Sequence, residues 1–157
     1  MSKCINKISD WMYQNKLKLN SDKTECLLIG RPSELQRVSS ENICVTGDVI
    51  SVCADSVVRN LGAYFDKCLS MEAHVSQCCK TSFFHLRNIT SIRKYLSYDA
   101  CVKLVHAMVT SRIDYCNSLL SGIACKHVKK LQSIQNWAAR VVYEKSKKDH
   151  VTPLLEK

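Results

Sequence analysis

Three consecutive segments in the second half of the chain repeat apolar residues at intervals of three and four, and this spacing constrains the fold more than any other feature. It places the apolar side chains on one face of an α-helix. Ser70 is a suitable N-terminal cap for the first segment. The predicted apolar face of this helix comprises Val75, Cys79, Ser82, Phe83, Leu86 and Ile89.

The second and third segments follow the same rule. Ser97 can cap the second helix, which we predict to run to Leu120 and to stop at Gly122. The third helix is predicted at about 126–143. The inward residues are Cys101, Leu104, Val105, Met108 and Val109 on the second helix, and Val128, Leu131, Ile134 (or Gln135), Ala138 and Val142 on the third. The scarcity of Gly (4) and Pro (2) also favours helices.

The first 66 residues mix helical and strand patterns. Residues 3–15 predict a short helix with Ile5, Ile8 and Met12 on one face. We also predict a strand at 25–29, a polar loop at 31–41, a β-hairpin formed by 43–45 and 49–52, and a strand at 57–65 interrupted by Gly62. The expected fold is therefore α+β, with an N-terminal helix and small antiparallel β subdomain at 1–66 and a three-helix antiparallel bundle at 67–157.

The net positive charge of the chain comes from one half of it. Residues 1–66 carry 8 Lys/Arg and 8 Asp/Glu, whereas residues 67–157 carry 15 and 6, which accounts for the whole net charge of +9. Such asymmetry favours a polyanionic partner, since Lys and Arg on phosphates release counterions. A solvated basic surface is the alternative. The candidate nucleic-acid-binding cations are Lys16, Lys18, Lys23, Lys80, Arg87, Arg93, Lys94, Lys126, Lys129, Lys130 and Arg140.

The cysteines indicate reduced thiols. There are ten, but no C-x-x-C pair and no zinc-finger spacing to His. The N-terminus lacks the apolar region of a signal peptide, and no apolar run is long enough to span a membrane. We therefore expect an intracellular protein that is neither secreted nor membrane-embedded. An aromatic residue beside the cations, Phe84, is a candidate for stacking on a base.

Residue patterns for catalysis are missing from the sequence. It contains no glycine-rich phosphate loop, no G-x-S-x-G turn, and no Asp-Asp or D-x-D pair of the kind that holds two metal ions. The five histidines are widely separated, and we expect them at exposed or half-buried helical positions. The sequence thus predicts no catalytic residue, no metal site, no cofactor and no small-molecule substrate.

One stretch gives a more specific indication. Trp11 to Gly30 reads W-M-x-x-N-K-L-K-L-N-S-D-K-T-E-C-L-L-I-G. It closely resembles motif D of the reverse transcriptases of LINE-type (non-LTR) retrotransposons, particularly the jockey, CR1 and L2 group. In these enzymes motif D follows the hairpin of the catalytic aspartates. In that family the motif closes the palm and carries a lysine near the departing pyrophosphate. Lys23 matches that lysine.

The resemblance continues in order along the chain. Val58 to Asp66 resembles motif E, the primer-grip hairpin, with Leu61 and Gly62 as its core. The sequences H-V-S-Q-C-C-K-T-S-F-F-H-L-R-N-I, K-L-V-H-A-M-V-T-S-R-I-D-Y-C-N-S-L-L-S-G and L-Q-S-I-Q-N-W-A-A-R-V-V resemble the helical thumb. The resemblance implies binding of an RNA/DNA template–primer, with the thumb cations on the duplex backbone and Leu61 and Gly62 at the primer end.

The family's Tyr/Phe-x-Asp-Asp turn has no counterpart in this sequence, nor have the fingers. We therefore expect a catalytically incomplete fragment, truncated at both ends, in which Lys23 is inactive and Mg²⁺ belongs only to the intact parent enzyme. Two alternatives stay open. One is a helical interaction module, because about 71–122 also resembles the N-terminal segment of some AlkB-type tRNA-modifying proteins. The other is a degraded genomic copy whose product has no function.

Overall fold

The computed structural model describes residues 2–20, 23–37, 43–45, 48–50, 57–146 and 148–155. The fold is α+β: mostly helical, with small two-stranded antiparallel sheets. The chain divides into two units, Met1–Leu69 and Ser70–Lys157. Among the described residues, no helix combines the length and apolar character needed to cross a membrane.

The first unit begins with helix α1, Ser2–Gln14, where the sequence predicts a helix. It ends in a Schellman motif, in which Leu17 N–H donates to the Met12 carbonyl at 2.8 Å and Lys16 N–H donates to the Tyr13 carbonyl at 3.1 Å. Lys16 takes the left-handed conformation (φ 60°) that glycine usually supplies at this point. Ile5 and Met12 are half-buried as predicted, but Ile8 is 48% exposed.

The segment after α1 differs from the prediction in two places. The strand predicted at 25–29 is absent, since only Cys26 forms an isolated bridge. An apolar run becomes a strand only when a neighbour completes its ladder of hydrogen bonds, and here no ladder forms. The segment predicted as a polar loop contains a short helix α2, Pro32–Leu35, which has proline in its first turn.

Two β-hairpins complete the first unit. β1 (Ile43–Val45) pairs with β2 (Asp48–Ile50), which confirms the predicted hairpin, with the second strand starting one residue earlier. Residues 46–47, 51 and 52, including the predicted turn, lie outside the described residues. β3 (Val58–Asn60) pairs with β4 (Ala63–Phe65), so the single strand predicted at 57–65 is wrong. Leu61 and Gly62 form the turn, and their φ values of 47° and 89° are those a type I′ hairpin requires.

The second unit is helical. α3 (Glu72–Ile92) continues into a 3₁₀ turn at Arg93–Tyr95, and α4 (Tyr98–Val105) continues through a π-helical segment (His106–Thr110) into α5 (Ser111–Asp114). After a 3₁₀ turn at Asn117–Leu120 come α6 (Cys125–Val142) and α7 (Thr152–Leu155). Ser97 caps α4 as predicted, accepting a hydrogen bond from Ala100 N–H at 3.2 Å. Ser70 accepts one from Glu72 N–H at 3.3 Å, although Met71 is the residue flanking α3.

Contacts at both ends of the helices define their directions. Glu72 and Lys126, which lie in the first turns of α3 and α6, form an ion pair at 3.5 Å. Arg93, which follows α3, binds the end of α6, so the two helices run parallel. α4 and α5 run the opposite way. Tyr98 at the start of α4 meets Tyr143 after α6, and the Cys78 thiol on α3 donates to the Arg112 carbonyl on α5 at 3.5 Å.

The second predicted helix is interrupted before Leu120. It ends at Asp114, and Cys116 adopts a left-handed conformation with φ 57°. Within it, Cys101, Val105, Val109 and Ile113 are buried at steps of four. A regular α-helix would rotate such a row by about 40° per step, and the wider π turn counters that drift. Met108 was predicted to face inward, but it is 39% exposed.

The core of the second unit lies among α3, α4, α5 and α6. Its buried members are Val75, Cys79, Leu86, Ile89, Cys101, Val105, Val109, Ile113, Ile134, Ala138 and Val141. On α6 the prediction was wrong at Val128, which is 51% exposed, and Val141 is buried more deeply than Val142. His127 occupies the inward position next to Val128. His74 and His127 are both buried, contrary to expectation, with 7% and 2% of their surfaces exposed.

Candidate nucleic-acid interface

Three predicted cations form a stripe along α3 and its 3₁₀ extension. Lys80, Arg87 and Lys94 follow one another at intervals of seven residues, and all three are exposed. Seven residues are close to two helical turns, so these side chains lie within about 40° of one another around the axis. The stripe extends for about 21 Å, since each residue advances the helix by about 1.5 Å.

A matching row lies along α6, parallel to the first. Lys126, Lys130, Trp137 and Arg140 occupy one face at helical spacing, and Lys129 lies beside them. Phe83 on α3 and Trp137 on α6 meet at the seam between the helices, with ring centroids 5.5 Å apart. Thus the predicted cations of the second unit, apart from Arg93, lie on the two helices that meet at this seam, counting the 3₁₀ extension of α3.

The seam widens into a groove at the C-terminal ends of the two helices. The groove has a volume of about 540 Å³. Its wall carries the cations Lys94 and Arg140, which the sequence prediction included, together with Trp137 and Lys145, which it did not. The described residues that line the groove are Thr90, Ser91, Arg93, Lys94, Trp137, Arg140, Val141, Glu144, Lys145 and Ser146.

Arg93 has a different role from the one predicted. Its side chain is only 12% exposed. Nε donates to the Val141 carbonyl, Nη1 to the Leu96 carbonyl and Nη2 to the Val142 carbonyl, each at 2.9 Å. Nη2 also pairs with the Glu144 carboxylate at 2.9 Å. These contacts occupy at least four of the five guanidinium N–H groups, so Arg93 caps α6 and is not placed to bind a phosphate.

The described acidic side chains of the second unit are largely committed within the protein. Glu72 pairs with Lys126, Asp99 with Lys103 at 2.7 Å, and Glu144 with Arg93. Among the described residues, no ion pair with a carboxylate is formed by Lys80, Arg87, Lys94, Lys129, Lys130 or Arg140. The Arg140 guanidinium donates to the Asp149 carbonyl at 3.2 and 3.4 Å, and Lys94 lies 4.8 Å from the Tyr95 ring centroid. The seam therefore presents a net positive field to solvent.

The candidate residues of the first unit form a separate set. Lys16, Lys18 and Lys23 are all exposed on the segment that follows α1. Leu61 and Gly62 form the tip of the β3–β4 hairpin, and Leu61 is 85% exposed. Beside this tip, the Arg59 guanidinium lies 5.7 Å from the centre of the Tyr64 ring.

The aromatic residues divide into packed and exposed rings. Phe83 packs against the core, whereas Phe84 is 56% exposed and meets the His85 ring edge-on at 5.4 Å. Phe84 is thus accessible, as its proposed stacking role requires. Trp137 is half-buried and lines the groove. Its position at a seam could have been noticed from the spacing of Lys130, Trp137 and Arg140 on a helix.

Three thiols of the second unit, Cys78, Cys79 and Cys101, offer weak nucleophiles. All three are free thiols, and burial raises the pKa of each above its usual value. The protonated thiol predominates at neutral pH when the pKa rises, and only the thiolate is a good nucleophile or metal ligand. Among the described residues, His, Cys, Asp and Glu do not gather into any group that could hold a metal ion.

Comparison of the chain with protein-family models, with curated proteins and with solved structures gives no match.

Proposed function

We propose that this chain is a nucleic-acid-binding portion of a LINE-type reverse transcriptase, comprising the end of the palm and a thumb-like helical bundle. In this proposal it binds an RNA/DNA template–primer and does not itself transfer nucleotides. The observation that carries the proposal is the seam between α3 and α6, where Lys80, Arg87 and Lys130 are exposed without a carboxylate partner among the described residues. The ordered resemblance of Trp11–Gly30, Val58–Asp66 and the helical segments names the family.

The physical argument starts from the spacing of the charges. The α3 stripe covers about 21 Å, and phosphates along one strand of a duplex are separated by about 3.4 Å along its axis. A stripe of this length therefore faces several successive phosphates. Backbone contacts of this kind position a protein on a duplex without reading its sequence, which is what a polymerase thumb requires.

The α4–α5 segment packs antiparallel to α3 and α6, and this arrangement supports the assignment of the bundle as thumb-like. By the same resemblance, the Leu61-Gly62 tip would approach the primer end and Lys23 would lie near the pyrophosphate of an intact enzyme. We propose binding without catalysis because the sequence holds no Asp-Asp or D-x-D pair to retain two Mg²⁺ ions. The proposed setting is intracellular, where the free thiols would stay reduced.

The test is the salt dependence of binding by the full chain under reducing conditions. A blunt RNA–DNA hybrid, fluorescently labelled, is titrated between about 50 and 200 mM salt. We expect the logarithm of the association constant to fall linearly with the logarithm of salt concentration. The triple variant Lys80→Gln, Arg87→Gln, Lys130→Gln should lower the slope by about 2 to 3, since each phosphate contact contributes about 0.9.

The matched control removes the same charge elsewhere. Lys3→Gln, Lys7→Gln, Lys103→Gln removes three exposed cations that belong to α1 and α4, and it should leave the slope close to that of the wild type. Equal slopes for the two triple variants, or no binding of the hybrid at low salt, would contradict the proposed interface. Primer extension by the chain in Mg²⁺ and deoxynucleotides would contradict the non-catalytic assignment.

A further inference from the structure

The groove at the ends of α3 and α6 differs chemically from the rest of the seam, because it combines an aromatic ring with cations. Trp137 contributes the ring, and Lys94, Arg140 and Lys145 contribute positive charges around it. An indole ring offers a surface on which any nucleobase can stack, and Lys or Arg beside it can bind the attached phosphate. A site that binds a nucleotide of a single strand needs both a surface for its base and cations for its phosphate.

Two sources of negative charge beside this groove, the C-terminal end of α6 and the Glu144 carboxylate, are already paired with Arg93. The C-terminal end of a helix carries partial negative charge on its free carbonyls. At α6 the guanidinium of Arg93 binds the carbonyls of Val141 and Val142 and also pairs with Glu144. Lys94, Arg140 and Lys145 therefore line the groove beside a helix end and a carboxylate, Glu144, that Arg93 already pairs.

The size of the groove suits a nucleotide of a single strand and excludes a base paired within a duplex. A volume of about 540 Å³ lies within the range of about 300–1,000 Å³ typical of small-ligand sites. A nucleotide can enter a groove of this size, whereas a base inside a duplex is stacked on both faces and cannot reach Trp137. The groove thus suits an unpaired nucleotide that continues from a duplex.

We propose that this groove binds an unpaired nucleotide of a single-stranded overhang, with its base against Trp137 and its phosphate among Lys94, Arg140 and Lys145. The inference rests on the proposed function for the adjoining duplex and adds a second class of ligand to it. An acidic peptide would satisfy the cations but would make no use of the indole face, so a nucleic-acid strand is the better chemical fit.

Fluorescence of Trp137 tests the inference directly. The chain has two tryptophans, and Trp11→Phe leaves Trp137 as the only one. Trp11 lies on α1 in the first unit and is 59% exposed, so its replacement should be tolerated. We expect an oligothymidylate, or a hybrid with a single-stranded overhang, to quench Trp137, and a blunt hybrid to leave its emission nearly unchanged.

Charge variants avoid the risk that changing Trp137 disturbs its packing on Phe83. The double variant Lys94→Gln, Lys145→Gln, made in the Trp11→Phe background, should weaken binding of the oligothymidylate by about tenfold, within the range of one stacked and phosphate-anchored base. The matched double variant Lys7→Gln, Lys103→Gln should bind it like the parent. Both should retain a cooperative thermal melt.

The outcomes distinguish this inference from the proposed function. If overhang and blunt hybrids bind equally and neither quenches Trp137, the groove assignment is overturned while duplex binding stands. If the oligothymidylate and the overhang hybrid quench Trp137 but the blunt hybrid does not bind at low salt, the duplex proposal fails and the groove assignment is supported. Equal quenching by an acidic peptide or by inorganic phosphate would overturn the assignment to a nucleotide.

Discussion

Arg93 donates a hydrogen bond from Nε to the Val141 carbonyl at 2.9 Å, joining two residues that lie 48 positions apart in the chain. This bond ties the end of α3 to the end of α6 and holds the two helices parallel where the groove opens. A charged donor to a carbonyl at low exposure is a strong form of hydrogen bond. Arg93 is therefore part of the support of the candidate interface.

Removing this guanidinium should destabilise the second unit. We expect Arg93→Ala to lower the free energy of unfolding by about 3 kcal/mol, because several charge-assisted bonds are lost and the α6 carbonyls lose their donor. Glu144→Gln should cost less than about 1 kcal/mol, since Glu144 is 65% exposed and water screens its ion pair. Urea denaturation of both variants measures the difference, and equal losses would show that Arg93 acts chiefly through Glu144.

The inward face of α6 can be tested by a pair of truncations. Ile134 is fully buried, so Ile134→Ala should cost about 2–5 kcal/mol of unfolding free energy. Val128 is 51% exposed, so Val128→Ala should change it by less than about 0.5 kcal/mol. Thermal melting followed by circular dichroism compares the two. A large loss of stability in Val128→Ala would contradict this placement and support the inward position of Val128 that the apolar pattern predicts.

Acid should weaken the second unit through His74. Burial lowers the pKa of His74 from its ordinary value of 6.5, because desolvation penalises the charged imidazolium. Between the lowered pKa and 6.5 the unfolded chain binds more protons, so stability should fall as the pH drops below about 6.5. Melting temperatures between about pH 7.5 and pH 5 measure this loss. His74→Asn should flatten the dependence, whereas the same change at exposed His150 should preserve it.

A substitution at the tip of the β3–β4 hairpin should have opposite effects on stability and on binding. Leu61 has φ 47°, a conformation that asparagine tolerates better than leucine in a type I′ turn. We expect Leu61→Asn to raise the free energy of unfolding of the first unit by up to about 1 kcal/mol, measured from the midpoint of its unfolding transition. If the exposed Leu61 side chain contacts a primer end, the same variant should weaken binding of a template–primer. A variant that is less stable than the wild type would contradict the strain at this position.

Local patterns predicted much of the helical part of the fold. The apolar spacing located α3 and α6 to within a few residues, and the serine at 97 marked the start of α4, because these signals act between residues less than two helical turns apart. The same reasoning failed for the strand at 25–29, where no partner completes a ladder. It failed again at His127, whose polarity hid a buried position at 2% exposure.

The candidate interface also combines features that the sequence predicts with features that depend on the packing of α3 and α6. The positive charge of residues 67–157 and the exposure of Lys80, Arg87 and Lys130 follow from composition and from the helical period, since a charged side chain on a helix turns away from an apolar core. The sequence could not distinguish Arg93 from these cations. Its carbonyl partners on α6 lie 48 and 49 residues away, and only the parallel packing of α3 and α6 brings them within hydrogen-bonding distance. The same packing creates the groove around Trp137, because a cavity forms where two helix surfaces diverge and belongs to neither helix alone.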